Sequence, residues 1–173
     1  MNYKNLILCG LLITALTGKG QSVEELDKRN GFKDIKLNSE ITQYDELEFK
    51  KKIKDEVFPD AKLYVNKKGS YTTIGNIPVI GVEVSTYKDR IFQIRVETDK
   101  NTNLYKGLAT AFGEGSWSLR KKAYVWSAEN LSLVFRSVGK NKESLELIYY
   151  SYVMVRERKE EKKEYVREVS DDF

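Results

Sequence analysis

The stretch IGVEVSTYKDRIFQIRVET, residues 80–98, decides the fold. Ile80, Val82, Val84 and Thr86 alternate with polar residues or glycine, and so do Phe92, Ile94, Val96 and Thr98. Side chains on a strand point to opposite faces with a period of two, so each run is a strand with one apolar face. Lys88-Asp89 marks the turn between them. Register follows from the same pattern. A strict two-residue turn would set Glu83 opposite Ile94, which mixes the faces. A three-residue loop centred on Asp89 pairs Thr86 with Phe92, Val84 with Ile94 and Val82 with Val96. Cross-strand partners share a face, so the three-residue loop is the predicted one.

Working outward, residues 101–113 give the best helix. Leu104, Leu108, Ala111 and Phe112 form one apolar stripe, Asn101 or Asn103 caps it, and Gly113 is a natural stop. Gly107 inside it costs about 1 kcal/mol against alanine, which suggests a close approach to the sheet. After a basic loop, Tyr124, Trp126 and Ala128 face Leu131, Leu133 and Phe135 across Glu129-Asn130. Here a two-residue turn aligns both apolar sets, pairing Trp126 with Leu133 and Tyr124 with Phe135. The last strand runs from Leu145 to about Val155. It is apolar or aromatic on both faces, as a central strand is.

The N-terminal half is less regular. Residues 21–31 are polar and read as a loose lead-in. Phe32 to Leu37 reads as a short extended segment. A short helix is expected within 40–47, with Ser39 or Thr42 as its cap and Thr42-x-x-Asp45 a partial capping box. Leu47, Phe49 and Ile53, with lysines between, fit either a prolonged helix or a strand. Pro59 breaks the chain before a strand at Ala61–Asn66. The fold class is therefore α+β: a twisted antiparallel sheet built from hairpins, two short helices on one face, and a charged C-terminal tail helix. A single domain spans residues 32–155. The tail, 156–173, carries charge pairs such as Arg158/Glu161, Glu160/Lys163 and Glu164/Arg167. It reads as a solvated, fraying helix or a disordered tail.

The 173-residue chain begins with a lysine at position 4 and an eleven-residue apolar run, Leu6–Leu16. Gly18 and Gly20 then stand before Gln21. That layout is a secretion signal, residues 1–20. The run falls short of the roughly 20 apolar residues of a membrane helix, and no transmembrane segment is expected after cleavage. The expected location is outside the cytoplasm, periplasmic or secreted.

The only cysteine, Cys9, lies in the leader, and there is no histidine. The mature chain so read has no disulfide, no Ser-His-Asp or Cys-His system, and no thiolate or histidine metal site. No cofactor is called for. Taking Lys4 and Lys19 from the 30 basic residues leaves 28 against 26 acidic, a net charge of +2. That balance does not point to nucleic acid, which calls for a clustered basic surface.

The segments GFKDIKLNSEITQY, YTTIGNIPVIGVEV, TYKDRIFQIRVET, NLYKGLATAFGEG, AYVWSAENLSLVFRS and LELIYYS together resemble a recurrent type of small, uncharacterised, exported bacterial α+β protein. The resemblance covers residues 31 to about 152, and its motifs are turn residues and core aromatics. Asn38 stands where that type has a glycine. The resemblance implies export and this fold, and brings no activity with it. At the level of fold alone, the alternation is similar to exported inhibitor and assembly modules that bind proteins with an open sheet face.

Four residues are candidates for ligand or partner binding. Trp117, in the loop Gly113–Ser118, is placed to stack on a sugar or anchor a partner. Arg95 and Gln93 lie on the polar strand face, and Tyr152 belongs to the aromatic run Tyr149–Tyr152. No catalytic residue is assigned and no metal site is expected. The expected function is a non-catalytic binding or interaction protein of the bacterial envelope, its partner another envelope protein or a cell-surface glycan. One alternative is a carboxylate-only cell-wall hydrolase using Glu83 and Glu97, which needs two carboxyls roughly 5–10 Å apart in a cleft. Another is a structural envelope protein attached by its tail.

Overall fold

The structure, a computed structural model, describes residues 22–173. The expected leader, with Cys9, lies outside them.

The polar lead-in is a helix, α1 (Val23–Arg29), and not a loose segment. Leu26 is completely buried in the core and anchors it. Glu24 and Glu25 in the first turn and Lys28 and Arg29 in the last suit the helix dipole. Asp27 reaches across the molecule, its carboxylate accepting the backbone N–H groups of Glu129 and Asn130 at 3.0 Å each. Two apolar side chains, Val23 and Leu26, are too few to make a periodic stripe, so the pattern concealed the helix.

A small hairpin follows, β1 (Gly31–Phe32) with β2 (Ile35–Lys36). Gly31 has φ 144°, and a β-carbon there would collide with the Ile35 carbonyl. Asn38 has φ 69°. Asparagine tolerates this left-handed conformation. The helix expected in 40–47 is a single 3-10 turn, Ile41–Gln43, capped by the side chain of neither Ser39 nor Thr42. Ser39 instead donates to the Lys36 carbonyl at 2.7 Å.

The rest of the chain builds β3 (Leu47–Ile53), β4 (Ala61–Asn66), β5 (Thr73–Ile74), β6 (Ile77–Tyr87), β7 (Arg90–Asp99), α2 (Thr102–Phe112), β8 (Ser116–Ser118), β9 (Ala123–Ser127), β10 (Leu131–Val138), β11 (Ser144–Ser151) and α3 (Tyr152–Asp171). The strands form a nine-stranded antiparallel sheet in the order β3-β4-β6-β7-β11-β10-β9-β8, with β5 on β6. Its edges are blunted as isolated edges usually are: β3 carries exposed Lys50–Lys52 and a bulge, and β8 has three residues.

In the decisive hairpin, Val82 pairs with Val96 and Val84 with Ile94, as expected. The turn differs. Tyr87 pairs with Arg90 around a two-residue turn, with Lys88 and Asp89 at φ 50° and 61°. Thr86 pairs with Ile91, and Phe92 is the extra residue of a bulge. The physical reason is that Ile91 and Phe92 are adjacent and both buried, in two different clusters. Ile91 joins the main core, and Phe92 packs on Phe58, Ala61 and Met154 across the sheet. A second bulge, between the Val79 and Gly81 pairings, leaves Ile80 exposed instead of on the apolar face. The β9–β10 hairpin has the predicted register, Leu133 with Trp126 and Phe135 with Tyr124.

The last strand is central, between β7 and β11's other neighbour β10, but it ends at Ser151 and not near Val155. The Ser151 hydroxyl accepts the Met154 N–H at 3.1 Å, an N-cap that turns the chain into α3. The same hydroxyl donates to Asn38 Oδ1 at 2.5 Å. The tail is a continuous helix. Its first turns are docked by buried Met154, by Glu157 on Arg90 at 2.7 Å and by Glu161 on Lys88 at 2.9 Å. Further on, Tyr165, Val166 and Phe173 are exposed. No described helix is long and apolar enough to cross a membrane.

The sheet thus has two unlike faces. On the helix face, α1, α2 and the β1–β2 hairpin cover Val82, Ile94, Val96, Leu133 and Leu147. The other face is capped by Met154 and Phe58 at one end and is charged elsewhere.

Candidate functional site

The charged face holds Arg95 and Gln93, next but one to each other on β7. Glu83 is the partner of Arg95 on β6, and Glu146 on β11 is the partner of Glu97 on β7. Glu146 is only 5% exposed. Its two oxygens are held by different guanidinium groups, Oε1 by Arg95 at 3.3 Å and Oε2 by Arg136 at 2.7 Å. Ser144 donates to Glu97 Oε1 at 2.6 Å, and Lys50 lies 3.4 Å from Glu83. These charges line a groove of about 310 Å³ and answer one another. A buried carboxylate with two arginines is a network that holds strands in register.

The four residues singled out from the sequence do not form one surface. Gln93 and Arg95 stay together. Trp117 is not in a loop but on edge strand β8, opposite Tyr124. Tyr124 continues through Phe135 to Leu147, so Trp117 belongs to the helix face. Its half-exposed ring packs edge-on to Tyr124 at 5.0 Å. Tyr124 meets Tyr105 of α2 at 4.5 Å. The Tyr105 hydroxyl donates to Glu114 at 2.6 Å, and this bond pushes the phenol up to about 12. Tyr152 is the first residue of α3, not a strand residue, and its N–H donates to the Asn130 carbonyl at 2.8 Å.

A wide concavity lies elsewhere on the helix face, a cleft of about 640 Å³. One wall is the stripe of α2, with Leu104, Leu108 and Phe112. Asn101 starts that helix by accepting the Asn103 N–H at 2.9 Å. The facing walls are Phe32 of the β1–β2 hairpin and Ile74 and Ile77 of the β5–β6 hairpin. Leu147 and Tyr149 of β11 form the floor. Gly107 also lines the cleft. No heavy atom lies within 4 Å of where its β-carbon would stand, so it leaves room in the cleft and makes no close approach to the sheet.

The polar groups of the cleft are few. Arg29, Lys33 and Lys36 stand around it, and among the described residues no acidic side chain lines it. Tyr149 is 5% exposed, lines the cleft, and its side chain makes no hydrogen bond with the described residues. Burial pushes this phenol up, so it is a neutral donor. Sequence reasoning missed the cleft. Its one local trace is Gly107, a poor helix residue on the apolar side of an otherwise good helix.

Among the described residues no group of three or more carboxylates is placed to hold a metal ion. No protein-family model matches the chain, and no match was found among curated proteins or solved structures.

Proposed function

We propose that this is an exported, non-catalytic binding protein whose ligand is a small molecule with a largely apolar body, held in the cleft between α2 and the two hairpins. The observation that carries the reading is the cleft itself. It has about 640 Å³ of space with mainly aliphatic and aromatic walls and few polar groups. Binding sites for small molecules have this size and this composition. A solvent-exposed apolar recess is otherwise unfavourable, by roughly 25 cal/mol for each Å² left in water. The export signal in the sequence supports the location, and the saturated charges of the opposite face move recognition away from Arg95 and Gln93.

The test is uptake of the neutral, environment-sensitive dye Nile red by the native protein. Saturable binding at one site is expected, and Gly107→Phe should abolish it without lowering the melting temperature. Absence of saturable uptake, or equal uptake by the variant, would count against the reading.

One observation favours a second reading, carboxylate-only hydrolysis. Glu97 and Glu146 are direct cross-strand partners in the charged groove. Hydrolysis of cell-wall glycan that disappears in Glu97→Gln would establish it.

A further inference from the structure

We propose that the ligand of the cleft is a single-chain amphiphile with a carboxylate head, seated with its chain along α2 and its head between Arg29 and Tyr149. The proposal rests on the cleft reading above and adds the chemistry of the ligand's charged end.

Among the described residues, three positive side chains and no negative one line the cleft. They are fixed in different ways. Lys36 Nζ donates to the carbonyls of Arg29 at 2.9 Å and Lys33 at 2.8 Å, which ties the hairpin to the end of α1 and leaves one proton free. The Arg29 guanidinium lies over the Phe112 ring, 5.3 Å from its centre. Its Nε donates to Glu25 at 3.2 Å, and its two terminal nitrogens have no partner among the described residues. Lys33 lies over Phe32 at 5.7 Å and, like Lys36, forms no ion pair among the described residues. Among the described residues, Glu25, which Lys28 also approaches at 3.8 Å, is the only carboxylate paired with this group. The excess charge therefore faces the cleft unanswered.

Tyr149 is a second, independent sign. Its side chain lines the cleft and makes no hydrogen bond with the described residues, so its O–H can donate to a bound group. Arg29 lines the same cleft. A phenol O–H and a guanidinium fork on one cleft offer donors to the oxygens of a carboxylate. The remaining walls are mainly apolar, with Leu104, Leu108, Ile74 and Ile77 beside two amides, Asn76 and Asn103. Each chain methylene buried there favours binding by about 0.8 kcal/mol.

The experiment is displacement of bound Nile red by four twelve-carbon probes: dodecanoate, dodecanol, dodecyl phosphate and dodecyltrimethylammonium. Dodecanoate should bind at least about tenfold more tightly than dodecanol, and dodecyltrimethylammonium most weakly. Lys33→Glu and, separately, Tyr149→Phe should each narrow the gap between dodecanoate and dodecanol. Lys33 is on the surface, so its variant keeps the test open if Tyr149→Phe fails to fold. Equal affinity for dodecanoate and dodecanol would overturn the charged-head inference and leave the cleft reading intact. A preference for dodecyl phosphate would overturn the carboxylate. Failure of all four probes to displace the dye would overturn the single-chain amphiphile. Failure of the dye itself to bind would remove the cleft reading on which the proposal rests.

Discussion

The two faces of one sheet solve opposite problems. On the charged face, Arg95, Arg136, Glu97, Ser144 and Glu146 are polar residues that mostly find each other. On the helix face, apolar residues pack under α1 and α2 and leave a cleft open beside α2. There the Tyr149 side chain makes no hydrogen bond, and Lys33 and Lys36 no ion pair, with the described residues. The difference teaches where binding capacity resides. A face whose donors and acceptors are already matched has little to offer a ligand, however polar it looks. A mostly apolar face with a few unmatched donors has more.

The largest effect should come from breaking the helix face at its centre. Trp126 is 1% exposed, and its indole N–H donates to the Gly113 carbonyl at 2.7 Å. Gly115 approaches the same ring so closely that a β-carbon would overlap it. Trp126→Ala should cost about 3–5 kcal/mol in urea unfolding. A loss below about 1 kcal/mol would mean that this end of the core is not packed as described.

On the charged face the corresponding break is Glu146→Gln, which weakens contacts to two arginines. A loss of about 2 kcal/mol is expected, as for hydrogen bonds to charged groups. Arg136→Gln made in the Glu146→Gln background should then cost little more, as coupled residues do. Fully additive losses would show that the network does not act as a unit. Nile red uptake should be unaffected by Glu146→Gln, which separates the two faces functionally.

Ser151→Ala tests the joint between β11 and α3. Losing an N-cap costs about 1 kcal/mol. Hydrogen exchange should quicken in the first turn of α3 and at Asn38 together, since one hydroxyl serves both.

The smallest effect is one of pH. The hydrogen bond from Lys88, helped by Arg158, holds the Glu161 carboxyl below its ordinary 4.5. A depressed carboxyl stabilises the fold above its unfolded value and loses that contribution as pH falls through the folded one. The stability difference between the native chain and Glu161→Gln should therefore shrink between pH 6 and pH 3, both read from urea midpoints. Glu161 is well exposed, so solvent screening keeps this effect small. A difference that grows on acidification would contradict the ion pair with Lys88.

Most of the sheet was legible in the sequence, because alternation over Val82–Val84 and Ile94–Val96 is a local signal of a strand. The β9–β10 register was equally legible from its two-residue turn. The Phe92 bulge was not, because it follows from the placement of Phe58 and Met154, both distant in sequence. The end of β11 was hidden by composition. Tyr152, Val153, Met154 and Val155 continue an aromatic and β-branched run that favours strand, and only the Ser151 cap overrides it. Of the candidate site, Arg95 and Gln93 were placed on the correct face and Trp117 was not. The cleft was illegible because it is made by what is missing between three separate elements, and no stretch of chain encodes an empty volume.

The Ser151–Asn38 bond has a further consequence, in the order of assembly. Asn38 and Ser151 are 113 positions apart, and Asp27 meets the Glu129–Asn130 turn across 102 and 103. Strand β7 likewise waits for β11 to become a central strand. The first third of the chain thus cannot finish folding until the last has arrived. Contacts so distant in sequence make folding slow. Under the export proposed above, this late closure would keep the polypeptide threadable until its C-terminal end is through.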